Sequence, residues 1–154
     1  MVLNMTQRRH ITPLISIFVD RFNLLWLLRY RFAYNLSAAE TYYLLIPTSF
    51  RLGRRLLQKL VELDSLVEVL EHLPEPFYSL LYEAESIFIV DQRLIKEVHK
   101  VSQVTLRLRS FTLAKVFAYI LLRETEIRRV MAILKGKRLN LNKETISKMA
   151  EYSM

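Results

Sequence analysis

Residues 124–141 read ETEIRRVMAILKGKRLNL, and the order of apolar, basic and turn-forming residues in that stretch decides the fold class. Apolar side chains at 127, 131 and 134 continue a series from 113, 117 and 120. The alternating steps of three and four predict one face of an amphipathic helix. Lys135, Lys137 and Arg138 follow where that helix should end, a place where cations are favoured by the carbonyls of the last turn. Gly136 reads as the left-handed residue that stops it. Asn142 reads as the cap of a short final helix through about Glu151.

The chain makes the same statement once more. Residues 19–36 read VDRFNLLWLLRYRFAYNL. At an offset of 106, Glu126 falls on Asp20, Ile133-Leu134 on Leu27-Leu28, and Lys135 and Lys137 on Arg29 and Arg31. A one-residue gap then puts Asn140-Leu141 on Asn35-Leu36. Each copy is a long helix ending in apolar residues and bases, then a short Asn-Leu loop, then a capping residue (Ser37 or Asn142).

Punctuation elsewhere is also helical. Thr12-Pro13 reads as a helix start, with Pro at the first helical position, and apolar residues at 14, 17, 18, 24, 25 and 28 carry the helix to about Ala33. Ser37 and Glu40 form one capping box and Ser65 and Glu68 a second. The short helices they open should stop before Pro47 and Pro74. Ser49 or Phe50 opens another, to about Leu63, and Pro76 one more, to about Ala84. A long helix from Ser86 to about Arg109 places apolar residues at 87, 90, 94, 98, 101, 104 and 108. Gln103–Leu108, the best strand candidate, fits that helix better. The expected fold is therefore all-α: a bundle of two long and several short helices with an internal repeat (about 12–46 and 113–151). A tail, 1–11, precedes a single domain, 12–154.

Composition narrows the function. Of 154 residues only 2 are Gly and 4 are Pro, too few for turn-rich sheets or for a phosphate-cradling loop, which needs Gly for close backbone approach. With no cysteine, disulfides, thiolate catalysis and Cys-type zinc sites are excluded. Apolar residues make up 52% of the chain and the mean hydropathy is +0.16. Charges interrupt every apolar run before the about 20 residues of a membrane span. The opening MVLNMTQRRHITPLISIF mimics a signal peptide but lacks a small-residue cleavage site.

The net charge of +8 is unevenly spread. Leu60 to Val90 holds seven acids and no Lys or Arg, whereas Gln92 to Arg138 holds twelve bases and three acids. Such polarity steers the docking of a charged partner. A nucleic-acid binder needs a contiguous basic face. Here the bases are diluted by Leu and Ile, and the acidic segment would repel a polyanion.

Catalytic and metal chemistry lack their parts. His10, His72 and His99 are far apart, and only Glu68 with His72 has helical spacing, which is surface pairing rather than a ligand set. No cofactor and no metal are expected. Glu124 fills the gap in the stripe 113, 117, 120, 127, 131, 134, which predicts a core-facing acid. A buried carboxylate needs a partner: Arg128 lies one turn on, and Arg21 and Arg29 are longer-range alternatives. The expectation is a structural ion pair, Glu124–Arg128.

The paired segments resemble the C/d subunit (AC39) family of vacuolar- and archaeal-type rotary ATPases. DRFNLLWLLRYRFAYNLSAAETYYLLIPTS (20–49) is similar to that family's D-x-x-N-L-x-x-x-[LI]-R segment and its L-[IL]-P loop. SFTLAKVFAYILLRETEIRRVMAILKGKRLNL (110–141) is similar to a second, more specific segment, with Glu124, Glu126, Ile127, Arg128, Ile133, Gly136 and Lys137 in register. The resemblance is to the family's C-terminal part and covers roughly 12–150. It implies a non-catalytic subunit built from lobes of a three-lobed funnel, of which two correspond to this chain and the first is missing, whether by truncation or because this is a shortened relative. Such a subunit sits at the cytoplasmic side of a membrane sector, touching the proteolipid ring and the central shaft and the membrane only through them. Proton or sodium transport is the process served. On that reading Arg29, Arg31, Lys135, Lys137 and Arg138 are the candidate partner contacts, and apolar surface left by the absent lobe favours self-association. The alternative is a helical interaction module without an ATPase role, or, less in keeping with the charge pattern, a nucleic-acid binder.

Overall fold

The apolar run around Ile11 and Leu14 forms helix earlier than Thr12-Pro13 predicts. The structure, a computed structural model, describes residues 5–47, 50–107 and 112–151. Its first helix, α1, is Met5–Leu28, with Pro13 inside. Extending the helix ahead of the proline buries Ile11 as well as Leu14, and the Thr12 hydroxyl donates to the Arg8 carbonyl (2.7 Å). Residues 5–11 are thus helical rather than a tail. The helices that follow are α2 Ala38–Leu44, α3 Arg54–Leu60, α4 Leu66–Glu71, α5 Phe77–Leu81, α6 Ile87–Leu106, α7 Leu113–Arg138 and α8 Lys143–Glu151. No strand occurs among the described residues. The fold is all-α, with α1 joining α6 and α7 as a third long helix.

The chain divides into two compact units, one of Ile15–Leu94 and one of Met1–Leu14 with Ile95–Met154. In the first, Leu24, Leu27, Leu28, Leu52, Leu57, Leu60, Phe77 and Leu81 are fully buried, each contributing about 1.5–3 kcal/mol. The second buries Ile11, Leu14, Val98, Ala114, Ala118, Leu121 and Ala150.

Local signals set several helix starts. Ser37 and Glu40 make the complete capping box (Glu40 N–H to Ser37 Oγ 3.3 Å, Ser37 N–H to Glu40 Oε2 2.9 Å). At Ser65 the box is displaced: Ser65 Oγ accepts from Glu68 N–H, but the Glu68 carboxylate takes the Asp64 N–H instead. Asn142 caps α8 through Thr145 N–H (2.8 Å). The helix expected from Ser49 or Phe50 begins only at Arg54, with Gly53 as its cap; Ser49 lies outside the described residues, as do 108 and 109 beyond α6.

The two similar segments end alike. Asn35 and Asn140 are both left-handed, each with φ 54°. In α7 the Leu139 N–H donates to Lys135 C=O and the Leu141 N–H to Gly136 C=O, each 3.0 Å. At the end of α1 the Tyr34 N–H donates to Arg29 C=O (2.9 Å) and the Leu36 N–H to Tyr30 C=O (2.8 Å). Acceptors 29 and 30 match 135 and 136 at an offset of 106, while donors 34 and 36 match 139 and 141 at 105. Each bond at the first end spans one residue more, because Arg29–Ala33 is a π-helical turn, which takes an extra residue per turn. The one-residue gap between the two sequences is therefore that π turn.

Gly136 does not stop α7. It is helical and buried, and a Cβ there would meet Ile146 Cγ1 at 2.7 Å. The glycine admits α8, and Asn140 supplies the left-handed stop.

The faces of the long helices also differ from expectation. On α6 the burial runs 90, 94, 98 and then through Ser102 and Thr105, whose hydroxyls satisfy themselves on the carbonyls of Val98 and Val101 (2.8 Å each). On α7 the small residues Ala114 and Ala118, with Leu121 and Gly136, face inward. Leu113, Ile120, Ile127, Met131 and Leu134 are left exposed. Small side chains permit the shorter interhelical distances that large ones forbid, and periodicity alone does not choose between the two faces.

Among the described residues one helix, Arg8–Ala33, is by length and composition apolar enough to cross a membrane, contrary to the expectation from charge interruption. Fifty-six per cent of its apolar window is buried inside the protein, and Asp20, Arg21 and Asn23 are hydrogen-bonded there.

Candidate partner-contact site

Asp20 and Asn23 interrupt the apolar stripe of α1 one turn apart, and both are fully buried. Asn23 holds Ile46 at both backbone atoms: its Nδ2 donates to Ile46 C=O (3.0 Å) and its Oδ1 accepts from Ile46 N–H (2.8 Å). Asp20 accepts from Leu52 N–H (3.2 Å) and from Ser16 Oγ (3.1 Å). Burial raises the Asp20 carboxyl above its usual range, opposed by these hydrogen bonds and by Arg51. Both ends of the segment after α2 are thereby pinned to α1.

Arg21 is the next polar group. Its Nε and Nη2 both donate to Asp91 Oδ1 (3.1 and 2.7 Å), and Arg29 reaches Asp91 Oδ2 at 3.5 Å. Asp91, near the start of α6, thus serves two cations. Its role is invisible locally because seventy residues separate it from Arg21. For Asp20 and Asn23 the signal was present: polar residues at i and i+3 inside an apolar run.

The five candidate contact residues fall into two sets, one in each unit. In the unit Ile15–Leu94, Arg31 is largely spent internally, donating to the carbonyls of Leu36 (2.9 Å) and Leu63 (3.5 Å). Arg29 is half exposed and holds Asp91. In the other unit, Lys135, Lys137 and Arg138 all stand exposed on the last turn of α7.

Glu124 does pair with Arg128 (Nη2 to Oε1 2.6 Å), but both side chains are about half exposed. The core-facing position expected for Glu124 is not found, because α7 turns its small-residue face inward. Arg21 and Arg29 are engaged with Asp91 instead. An exposed pair of this kind contributes about 0.3–0.5 kcal/mol.

Among the described residues no three His, Asp or Glu side chains converge to hold a metal. The depression lined by Tyr42, Tyr43, Leu45, Ile46, Pro47, Arg54 and Leu57 is open and about 280 Å³, below the usual range of ligand pockets. In the unit that holds α7 and α8, what the arrangement offers is a cluster of exposed bases at a helix end.

No curated protein and no solved structure gives a significant match to the chain. The family model for the ATP synthase (C/AC39) subunit matches residues 1–149. That match takes in both similar segments, the paired Asp20 and Asn23 and the basic end of α7, and with it the chain belongs to the C/AC39 family of non-catalytic ATP synthase subunits.

Proposed function

We propose that this chain is a central-stalk coupling subunit of a V/A-type rotary ATPase, linking the rotor shaft to the membrane proteolipid ring during proton or sodium transport. On this reading it lies on the cytoplasmic side, peripheral to the membrane and held there by protein partners. Family membership carries the coarser part, a subunit that meets other subunits of such an enzyme. The observation that supports the finer part is the basic last turn of α7, where Lys135, Lys137 and Arg138 stand exposed beside a fixed helix closure. A coupler needs stiff packed helices and charged surfaces that set register against a partner. The equivalent closures at Asn35 and Asn140 support reading the two segments as corresponding helices of two lobes.

The test is capture of the chain, at moderate salt, by detergent-solubilised rotary-ATPase membrane sector and by purified shaft subunits. Capture by either, lost when Lys135, Lys137 and Arg138 are changed together to Glu in a protein still helical by circular dichroism, is the expected result. Absence of capture by both, or capture indifferent to the triple change, overturns the reading.

A further inference from the structure

The face that α7 leaves outward has a strict period. Leu113, Ile120, Ile127 and Leu134 recur every seven residues, and each is between 45% and 63% exposed. Between them fall Phe117, Glu124 and Met131, also seven apart. The steps 4-3-4-3-4-3 are those of a coiled-coil seam, with Glu124 as its single polar position. A contiguous apolar surface of this kind on a folded protein marks a contact with another molecule.

The flanks of the seam decide which molecule. The positions on either side of it, where a paired helix places its charged residues, are 114, 116, 121, 123, 128, 130, 135 and 137, of which Ala114 and Leu121 face the core and the other six flank the seam outward. The charged residues among them are Arg123, Arg128, Lys135 and Lys137, all basic. Across the whole of α7, seven bases stand against two acids. Arg123 and Arg128 pair within the helix with Glu126 and Glu124, but as exposed pairs these are weak and readily exchanged. A second copy of α7 would bring like charges together along both flanks, which disfavours self-pairing. An anionic membrane would have to take Glu124 into its apolar layer at the centre of the stripe, which is costly.

We propose that the outward face of α7 is a docking seam for an amphipathic α-helix of a partner protein, with apolar residues in heptad register and acidic residues flanking them. This follows from α7 alone and does not require the rotary reading. The seam supplies apolar burial, the four flanking bases supply orientation, and Glu124 fixes register, as single polar seam positions do.

The probe is a synthetic peptide of about four heptads with Leu at both seam positions and Glu at both flanks, labelled for fluorescence anisotropy against the full chain. A second peptide with Lys at the flanks is the control. Self-repulsion keeps each peptide unpaired. The expected result is binding of the acidic peptide at least about tenfold tighter than of the basic one, a difference of about 1.4 kcal/mol. Ile127→Glu should abolish it with circular dichroism and melting unchanged, since Ile127 is exposed. Ile120→Gln is the second variant should the first lose helicity. Equal binding of both peptides, binding by neither, or binding unaffected in the folded variants overturns the proposal. So does a concentration-dependent dimer in sedimentation that Ile127→Glu dissolves, or adsorption to phosphatidylserine vesicles in place of peptide binding.

Discussion

The Asn23 side-chain amide closes two hydrogen bonds on the backbone of Ile46, one to its N–H and one to its C=O. This pairing ties the segment just after α2 to the C-terminal third of α1 across 23 residues of sequence. Asn suits the place because its short planar amide carries a donor and an acceptor side by side. Asn23→Ala should cost about 1–3 kcal/mol by leaving both backbone groups without that partner. Asn23→Asp should be no better, because its second oxygen would face the Ile46 carbonyl. Urea denaturation of the three proteins checks this.

Asp20 makes stability depend on pH in an unusual direction for a carboxylate. Its folded-state pKa is raised above 3.8, mainly by burial. The folded protein therefore binds the proton more tightly than the unfolded chain. This contribution is fully present below about pH 3.8 and is lost as pH rises through the higher folded value. Asp20→Asn should remove that slope while keeping an acceptor for Leu52 N–H. Denaturation midpoints of both proteins between mildly acidic and neutral pH give the comparison, and identical slopes would refute the assignment.

Asp91 neutralises Arg21, whose side chain is only 10% exposed. Asp91→Ala should destabilise by about 3–5 kcal/mol, since it strands a nearly buried cation. Changing the pair together, Arg21→Met with Asp91→Leu, should restore most of the loss. A thermal melt of single and double variants reads the coupling.

Gly136 and Ile146 form a second tight pair. Gly136→Ala places a methyl where Ile146 already stands and should cost about 1–3 kcal/mol through overpacking. Ile146→Ala removes the obstacle, so the double variant should be less damaged than the sum of the single ones. Amide exchange along α8 would locate the loss.

Asn35 and Asn140 share φ 54°. Replacement of either by Gly should be tolerated, whereas a β-branched Val should cost about 1–2 kcal/mol from the left-handed backbone. Similar penalties at the two sites, read from melting temperatures, would support equivalence of the two closures; a marked difference would count against it.

Helices and caps were legible because their causes are local. Ser37 with Glu40, and Asn142 at the head of α8, act over three residues, and the chain states both partners within one turn. The likeness of 19–36 to 124–141 was legible too, together with a gap whose cause was not: only the hydrogen bonds at Tyr30 and Gly136 reveal a π turn. Thr12-Pro13 misled because the proline signal for a helix start yielded to burial of Ile11 ahead of it.

The sequence by itself determined an all-α chain of this family, the caps at Ser37 and Asn142 and the basic last turn of α7, because caps, periodicity and charge act between near neighbours. Tertiary structure alone decided which face of α7 turns inward, and with it the exposure of Glu124. It also decided that Gly136 makes room for Ile146 and that Asp91 serves Arg21. These outcomes rest on shape and charge matched between residues remote in sequence, and a one-dimensional pattern holds no record of which remote residues meet.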